Sequence, residues 1–503
     1  MKNALTKNIV PLLAGPLVFF LTYFFFKPVG LSEQGVAVLA ATLWMAIWWI
    51  FEAIPISVTA LLPLVLFPLT MALDLNETAA SYGHRFIFLY MGGFILAIAI
   101  EKWGLHKRIA LNIISIIGSS VPRIMMGFMI ATAFMSMWIS NTATSVMMLP
   151  IAIAIILQLK ENPNVVESDE SSFAKGLMLA IAYSASIGGM ASLIGTPPNL
   201  VFAGIINELY GVEISFAQWF MFGFPISCIL LTVAWIYLTR FAFNISISEF
   251  PGGKAEIHRL KRELGPISRQ ELLVLTVFVC TALLWIFRSF LQNYLPALDD
   301  PIIAIIASIA LFVIPSGDGK GDGKGDKKDK ALISWEEAVR LPWGIILLFG
   351  GGMAIAGAFQ SSGLAIWIGS GLSAMNGMHL LLVIAVIITS VNFLTEITSN
   401  LATTAMLLPI LGALAVSLDV HPYVIMVAAT VSASCAFMLP IATPPNAIVF
   451  GSGYLTIKDM FTKGFIMNVI AIFVLTLFVY YGLELIWGFD PNIFPQEFKT
   501  PSS

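Results

Sequence analysis

Uncharged side chains that carry oxygen ligands are concentrated at two matching positions in an otherwise apolar chain. Ser140, Asn141 and Thr142 form the first group, and Ser399 and Asn400 form the second, with a Leu-Pro pair at the same distance after each group. Hydroxyl and amide groups hydrogen bond to nearby backbone and interrupt a helix, and at membrane depth such interruptions occur where they are buried in protein or line a cavity. We therefore predict that the two groups together bind a solute.

A second kind of interruption also occurs twice. The sequence Thr-Pro-Pro-Asn is found at 196–199 and at 443–446, each time after a Ser-Ala-Ser triplet. Proline ends the preceding helix, which leaves carbonyl groups free on one side and a new helix N-terminus on the other. Carbonyl oxygens suit Na⁺, whereas N-terminal amides carry about half a positive charge and favour a carboxylate. Four such breaks would bind small cations and a multiply charged anion side by side, without a buried Arg or Lys.

Each motif also has a simpler interpretation. An isolated Ser-Asn-Thr sequence is commonly a helix cap, and a proline in a membrane helix is often only a kink. Because both motifs recur in the same order, we favour a binding site, in which the capping role is retained.

One acid lies inside an apolar stretch. Glu396 precedes the second polar group, and its counterpart before the first group is Met137. An acid at membrane depth is either a site of ion coupling or a structural group held by hydrogen bonds, and the sequence leaves both open. Glu52, His84 and Arg85 lie near the ends of apolar stretches and are predicted to be interfacial.

The composition predicts an all-α polytopic membrane protein. Of the 503 residues 58% are hydrophobic and only 11% are charged, unlike a soluble globular protein. Eleven apolar stretches are predicted to cross the bilayer, for which about 17 to 25 apolar residues in a helix suffice. They include residues 9–26, interpreted as a retained span and not a signal peptide, and residues 55–73.

The same composition argues against other classes of protein. A net charge of −3 without a basic patch does not favour a nucleic-acid partner. The three cysteines lack the spacing of a disulfide framework or a zinc site. An integral-membrane enzyme is disfavoured because no histidine cluster, aspartate pair or activated nucleophile occurs at membrane depth.

The two polar groups lie in longer apolar stretches, 122–158 and 379–416, which we interpret as re-entrant hairpins. Each would be too long for one straight crossing but fits two half-length helices. Lys and Arg in the loops place the N-terminus in the cytoplasm and the C-terminus outside, for a multi-pass protein of the plasma (inner) membrane. The hairpins then enter from opposite sides.

Wider similarity between the halves predicts an inverted repeat, the architecture in which secondary transporters bind substrate near the midplane. Gly92-Gly93 and Gly351-Gly352, for example, are related by the same interval as the polar groups. The predicted units are N-terminal scaffold helices at 1–85, a first repeat at 86–243, an amphipathic arm with scaffold helices and a flexible Gly/Asp/Lys linker (316–330) at 244–340, a second repeat at 341–490, and a tail at 491–503.

These motifs, with the stretch from Ser434 to Val449, resemble those of the divalent anion:sodium symporter family, which transports dicarboxylates, citrate and sulfate. The resemblance extends to about residue 487. It implies a homodimer whose transport domains move as elevators against a fixed scaffold, Na⁺ as the coupling ion, and no organic cofactor.

The resemblance also implies roles for individual residues. The first sodium site would use Ser136, Ser140, Asn141 and the backbone of Gly195; the second would use Thr395, Thr398, Asn400 and the backbone of Ala442. The substrate carboxylates would meet Ser140, Asn141, Thr142, Ser399 and Asn400, near Thr196, Pro197, Thr443 and Pro444. Leu401 departs from the pattern, because a complete second Ser-Asn-Thr would have threonine there.

The expected function is therefore symport of Na⁺ with C4-dicarboxylates such as succinate, malate or fumarate. A dicarboxylate exchanger and a citrate or sulfate symporter on the same fold are the nearest alternatives. An anion channel would need a continuous polar pathway, which opposed re-entrant halves do not provide.

Overall fold

A computed structural model describes residues 2–118, 120–160, 167–243, 253–317, 331–371 and 377–498, and the regular elements in these ranges are helices. Nine of the described helices are long and apolar enough to cross a membrane. The helices of any length before residue 243 are α1 Lys2–Phe25, α2 Glu33–Ile50, α3 Ile56–Thr59, α4 Pro63–Leu69, α5 Leu75–Ala80, α6 Arg85–Lys102, α7 Leu105–Ile117, α8 Val121–Ser136, α9 Asn141–Lys160, α10 Glu167–Met190, α11 Pro197–Tyr210 and α12 Phe216–Ile236.

The remaining helices follow the same kinds of apolar sequence. They are α13 Gly253–Glu263, α14 Arg269–Ile286, α15 Arg288–Leu291, α16 Asp300–Val313, α17 Trp335–Ala338, α18 Trp343–Ser361, α19 Leu364–Gly371, α20 Leu380–Thr395, α21 Asn400–Ser417, α22 Pro422–Ala433, α23 Pro444–Phe450, α24 Ile457–Leu477 and α25 Leu483–Trp487.

The two halves repeat one series of elements. Helices α6 to α12 have counterparts in α18 to α24, in the same order and with the polar interruptions at the same places. The last members of the two series are both 21 residues long, and both continue into a π-helical turn, Tyr237–Ala242 and Phe478–Gly482. The series supports the predicted repeat, and its opposite orientation in the membrane stays a prediction.

Both predicted hairpins are pairs of helices joined by a short break. The first pair is α8 and α9, interrupted between Ser136 and Asn141; the second is α20 and α21, interrupted between Thr395 and Asn400. The breaks fall at the polar groups, as the hydrogen-bonding capacity of these side chains predicts. Re-entry on one side of the membrane is untested.

Helix packing brings the interruptions of the two halves together. Within each half, the first hairpin helix packs against the first part of the broken helix: α8 against α10, and α20 against α22. Between the halves, α11 packs against α21 and α23 packs against α9. Each Thr-Pro-Pro-Asn helix thus contacts the hairpin of the other half, so neither half completes the arrangement alone.

Two glycines permit the closest approaches. A Cβ at Gly188 would overlap the backbone of Ala133 in α8, and a Cβ at Gly464 would overlap the backbone of Phe437. Only hydrogen in place of a side chain lets the backbones of α10 and α8, and of α24 and the second break, come this close.

Some predictions about individual segments need revision. The stretch 55–73 is not one continuous span, because it forms the short helices α3 and α4, the first preceded by Pro55 and the second beginning at Pro63. The predicted amphipathic arm is described only from residue 253, where α13 packs against α7 and α9. Most of the Gly/Asp/Lys linker, 318–330, lies outside the described residues. The predicted unit boundaries remain predictions.

Candidate substrate and cation site

A cavity of about 790 Å³ lies where the four interruptions meet. Hydroxyl, amide and backbone groups of both hairpin tips and both Thr-Pro-Pro-Asn breaks line it. Every residue predicted to meet the substrate lines this cavity, namely Ser140, Asn141, Thr142, Thr196, Pro197, Ser399, Asn400, Thr443 and Pro444. The structure thus brings together residues that lie far apart in the sequence.

The predicted cation ligands divide into two layers. Gly195, Thr398 and Ala442 line the cavity together with the tip residues. Ser136 and Thr395 do not line it and are fully buried, one turn behind the tips. A cation held by both layers would lie between the cavity wall and the helix ends.

The first tip contains a cluster of three oxygens. Ser136 Oγ lies 2.6 Å from Asn141 Oδ1 and 2.7 Å from the carbonyl oxygen of Ala185. A hydroxyl has one hydrogen, so it donates to only one of these acceptors at a time. Gly195 is close by, because a Cβ there would lie 3.0 Å from the Ser136 carbonyl oxygen.

The second tip repeats this arrangement. Thr395 Oγ1 lies 2.6 Å from Asn400 Oδ1 and 3.1 Å from the carbonyl oxygen of Ala433. The carbonyls of Ala185 and Ala433 were missed in the sequence, although the recurring Ser-Ala-Ser triplet was a signal for them. Two matched clusters of hydroxyl, amide and carbonyl oxygens have the chemistry of ligands for a hard cation such as Na⁺.

Four helix N-termini also face the cavity. Helices α9 and α21 begin at Asn141 and Asn400, and α11 and α23 begin at the prolines of the two breaks. Side chains cap some of their amides: Ser140 Oγ accepts from the Ala143 N–H at 3.2 Å, and Thr443 Oγ1 accepts from the Asn446 N–H at 3.3 Å. The positive ends of these helices favour carboxylate groups in the cavity.

The asparagine of each Thr-Pro-Pro-Asn motif holds its break in shape. The buried Asn199 side chain donates to the carbonyls of Ser192 at 2.8 Å and Gly189 at 3.2 Å. Asn446 does the same for Leu439 at 3.0 Å and Ala436 at 3.1 Å. Sequence reasoning noted these asparagines within the motif but gave them no role; the recurrence of the motif was their signal.

Glu396 is surrounded by hydrogen-bond donors in this fold. Its Oε1 accepts from the backbone N–H groups of Phe437 at 2.8 Å and Met438 at 2.9 Å and from the amide of Asn468 at 2.7 Å, and its Oε2 accepts from the Leu439 N–H at 3.0 Å. It is 2% exposed and does not line the cavity. Of the two alternatives that the sequence left open, the geometry favours the hydrogen-bonded acid.

The charge of the cavity wall was not foreseen. Among the described residues that line it, Glu52 is the only one with a charged side chain. Glu52, which was predicted to be interfacial, is exposed and lines the cavity at the turn after α2. Leu401, which replaces the expected threonine, also lines the cavity.

The sequence as a whole matches a known transporter family. Residues 6–487 match the family described as the sodium:sulfate symporter transmembrane region. The chain belongs to this sodium:sulfate symporter family. This confirms the resemblance to divalent anion:sodium symporters, and it makes the protein a multi-pass membrane transporter and not an enzyme.

Relatives of this symporter extend over almost its full length. It is 47% identical over 488 residues to the sodium-dependent dicarboxylate transporter SdcS of Staphylococcus saprophyticus, covering 96% of this chain and 93% of the relative. It is 46% identical over 490 residues to SdcS of Staphylococcus aureus strain USA300, with the same coverage.

Solved structures with little sequence similarity share the fold. The YdaH transporter of Alcanivorax borkumensis has a TM-score of 0.56 at 13% identity, covering 82% of the symporter and 87% of YdaH. MtrF of Neisseria gonorrhoeae, described with a class of antimetabolite efflux pumps, has a TM-score of 0.53 at 12% identity, covering 81% and 84%. At this identity the likeness concerns the fold alone.

Proposed function

We propose that this protein is a secondary active transporter that couples Na⁺ entry to the uptake of C4-dicarboxylates such as succinate, malate and fumarate. The two matched oxygen clusters at the edge of one cavity, Ser136 with Asn141 and Thr395 with Asn400, carry the proposal. The relatives named sodium-dependent dicarboxylate transporters support it.

Sodium ions and substrate would share the breaks of both halves. The first cation would bind to Ser136, Ser140, Asn141 and the Gly195 backbone, and the second to Thr395, Thr398, Asn400 and the Ala442 backbone. The dicarboxylate would lie between them, with its carboxylates at the hairpin tips and the helix N-termini. Bound cations would offset the charge of the dianion. The cavity could therefore bind a dianion although its described lining contains no Arg or Lys.

Transport would use the two halves as an inverted repeat in a homodimer. The hairpins and broken helices, which hold the cavity between them, would move as an elevator against the remaining helices. The N-terminus would lie in the cytoplasm and the C-terminus outside. This arrangement moves the cations and the dianion together, because they share one set of walls.

Uptake into proteoliposomes tests the coupling. Radiolabelled succinate should accumulate under an inward Na⁺ gradient and not when choline or K⁺ replaces Na⁺ at fixed pH. Unlabelled malate and fumarate should compete better than citrate or sulfate. Equal uptake in choline contradicts Na⁺ coupling. If uptake requires dicarboxylate inside the vesicles, the protein is an exchanger. Stronger competition by citrate or sulfate would show that one of these anions, and not a C4-dicarboxylate, is the preferred substrate.

Substitution of the tip asparagines tests the site. Asn141→Ala and Asn400→Ala each remove a cation ligand, and each should raise the apparent KM for Na⁺ by about tenfold or more, since a lost charge-assisted contact is worth at least 1.4 kcal/mol. The matched control is Asn112→Ala, whose side chain lies in α7 away from the cavity. Wild-type Na⁺ dependence in both tip variants would remove the site assignment.

A further inference from the structure

Glu52 has an unusual backbone conformation directly after α2. Its φ is +44°, in the left-handed region that side-chain-bearing residues rarely adopt. The turn is closed by the Ala53 N–H, which donates to the Trp48 carbonyl at 3.2 Å. This is a common way for a helix to end, and it recurs at Met71 and Asp419; here it sets Glu52 on the wall of the cavity directly after α2.

The carboxylate of Glu52 has no protein partner to neutralise it. It makes no hydrogen bond or ion pair with any other residue in the part of the chain that the structure describes. Ile50, Phe51 and Ile56 beside it on the cavity wall are apolar. An acid in such surroundings exerts its field on whatever enters the cavity.

The position of Glu52 separates it from the predicted ion ligands. It lies in the connection between α2 and α3, whereas the oxygen clusters belong to the hairpins and broken helices. Its charge therefore belongs to the wall of the cavity and not to either cluster. A negative wall attracts cations and repels a dianion.

We propose that Glu52 is a coupling residue, which concentrates Na⁺ in the cavity and opposes entry of the dicarboxylate until cations are bound. The proposal rests on the function proposed above. It assigns to one side chain the order of binding that symport requires: cations first, dianion second. Without this charge the dianion would meet less resistance in a cavity that lacks Na⁺.

Neutral and charged replacements of Glu52 test the proposal in full-length protein in proteoliposomes. Glu52→Gln and Glu52→Asn are neutral, and asparagine tolerates the left-handed conformation, so at least one variant should fold. Glu52→Asp keeps the charge. Glu77→Gln is the matched control, because Glu77 is exposed and does not line the cavity.

In the neutral variants the apparent KM for Na⁺ should rise about tenfold, the scale on which a charged cleft concentrates counter-ions, while kcat at saturating Na⁺ is retained. Succinate uptake without Na⁺ should rise above the wild-type level. The aspartate variant should remain close to wild type. Added choline chloride should narrow the difference in KM, because salt screens the field of a solvent-accessible charge.

An unchanged KM for Na⁺ in folded neutral variants overturns the proposal. So does a loss of kcat at constant KM that aspartate does not restore, since this pattern shows a structural role. The wild-type protein in the same assay distinguishes failure of the proposed function from failure of the role of Glu52. If the wild type shows no Na⁺-driven uptake, the proposed function fails. If the wild type shows Na⁺-driven uptake and Glu52→Gln behaves identically, only the role of Glu52 fails.

Discussion

Glu396 illustrates how one side chain makes the two halves chemically different. In the second half its carboxylate fixes three successive backbone N–H groups of the break, from Phe437 to Leu439. The first half has Met137 at this position, and there Ser192 Oγ donates to the Met137 carbonyl instead. The same turn is therefore held by an acid in one half and by a hydroxyl in the other.

Replacement of Glu396 should destabilise the protein and not selectively alter ion coupling. Glu396→Gln loses the charge and places an N–H₂ group against a backbone donor, and we expect a loss of about 2–4 kcal/mol in the free energy of unfolding because buried donors are left unpaired. Thermal unfolding in detergent measures this. Glu484→Gln, an exposed acid, is the control. A fully stable Glu396→Gln variant with a raised KM for Na⁺ would return Glu396 to the role of an ion-coupling residue.

At the scale of the elements, the site depends on helices that end at the cavity. Each half has a hairpin that ends at a polar tip and a long helix broken before two prolines, and the ends of all four meet at one cavity. Close backbone contacts between these helices fix their distances. The contact of α10 with α8 at Gly188 lies beside the first oxygen cluster, because α10 also supplies the Ala185 carbonyl.

A methyl group at this contact should separate the helices and disturb the cluster. Gly188→Ala is expected to cost about 1–3 kcal/mol, the usual penalty for overpacking, and to weaken Na⁺ dependence by displacing the Ala185 carbonyl from Ser136. Gly83→Ala is the matched control, because nothing lies within 4 Å of the Cβ position at Gly83. Thermal unfolding and the Na⁺ dependence of uptake measure both effects. Equal stability of the two variants would show that the helices adjust without cost.

At the scale of the whole molecule, a cluster of charges joins elements that are distant in the sequence. Glu213, between α11 and α12, accepts from Arg85 at 2.9 Å and from Arg288 at 2.5 Å. Arg85 also pairs with Asp299 at 2.9 Å, and Arg288 lies 3.3 Å from the Asp300 carboxylate. The cluster connects a loop of the first predicted repeat to the starts of α6, α15 and α16.

Loss of the Glu213 carboxylate should loosen this connection. Glu213→Gln is expected to lower the free energy of unfolding by about 1–2 kcal/mol, less than for a fully buried pair because the Glu213 side chain is 27% exposed. If α11 moves with the hairpins against the starts of α6, α15 and α16, the transport rate should change as well. Glu263→Gln, which breaks the exposed pair with Arg259 on α13, is the control and should change little. Unchanged stability and rate for Glu213→Gln would show that the cluster is not a connection between moving parts.

The sequence by itself determined the class of protein and predicted residues that line the cavity. Apolar stretches of spanning length require helices in a membrane, and polar groups or paired prolines within them require breaks. The recurrence of Ser-Asn and Thr-Pro-Pro-Asn indicated the breaks that form a site, and the substrate contacts that the family resemblance implied all line the cavity. These properties are readable because they depend on local sequence and on its repetition.

Only the tertiary structure decided which groups face the cavity and which support it. It buried Ser136 and Thr395 behind the tips, supplied the Ala185 and Ala433 carbonyls, and placed the exposed Glu52 on the cavity wall. It also placed Glu396 against the backbone of a loop some forty residues further along the chain. These outcomes depend on contacts within each half between residues about forty to fifty positions apart and on the turn after α2. No local pattern of residue types encodes such long-range distances.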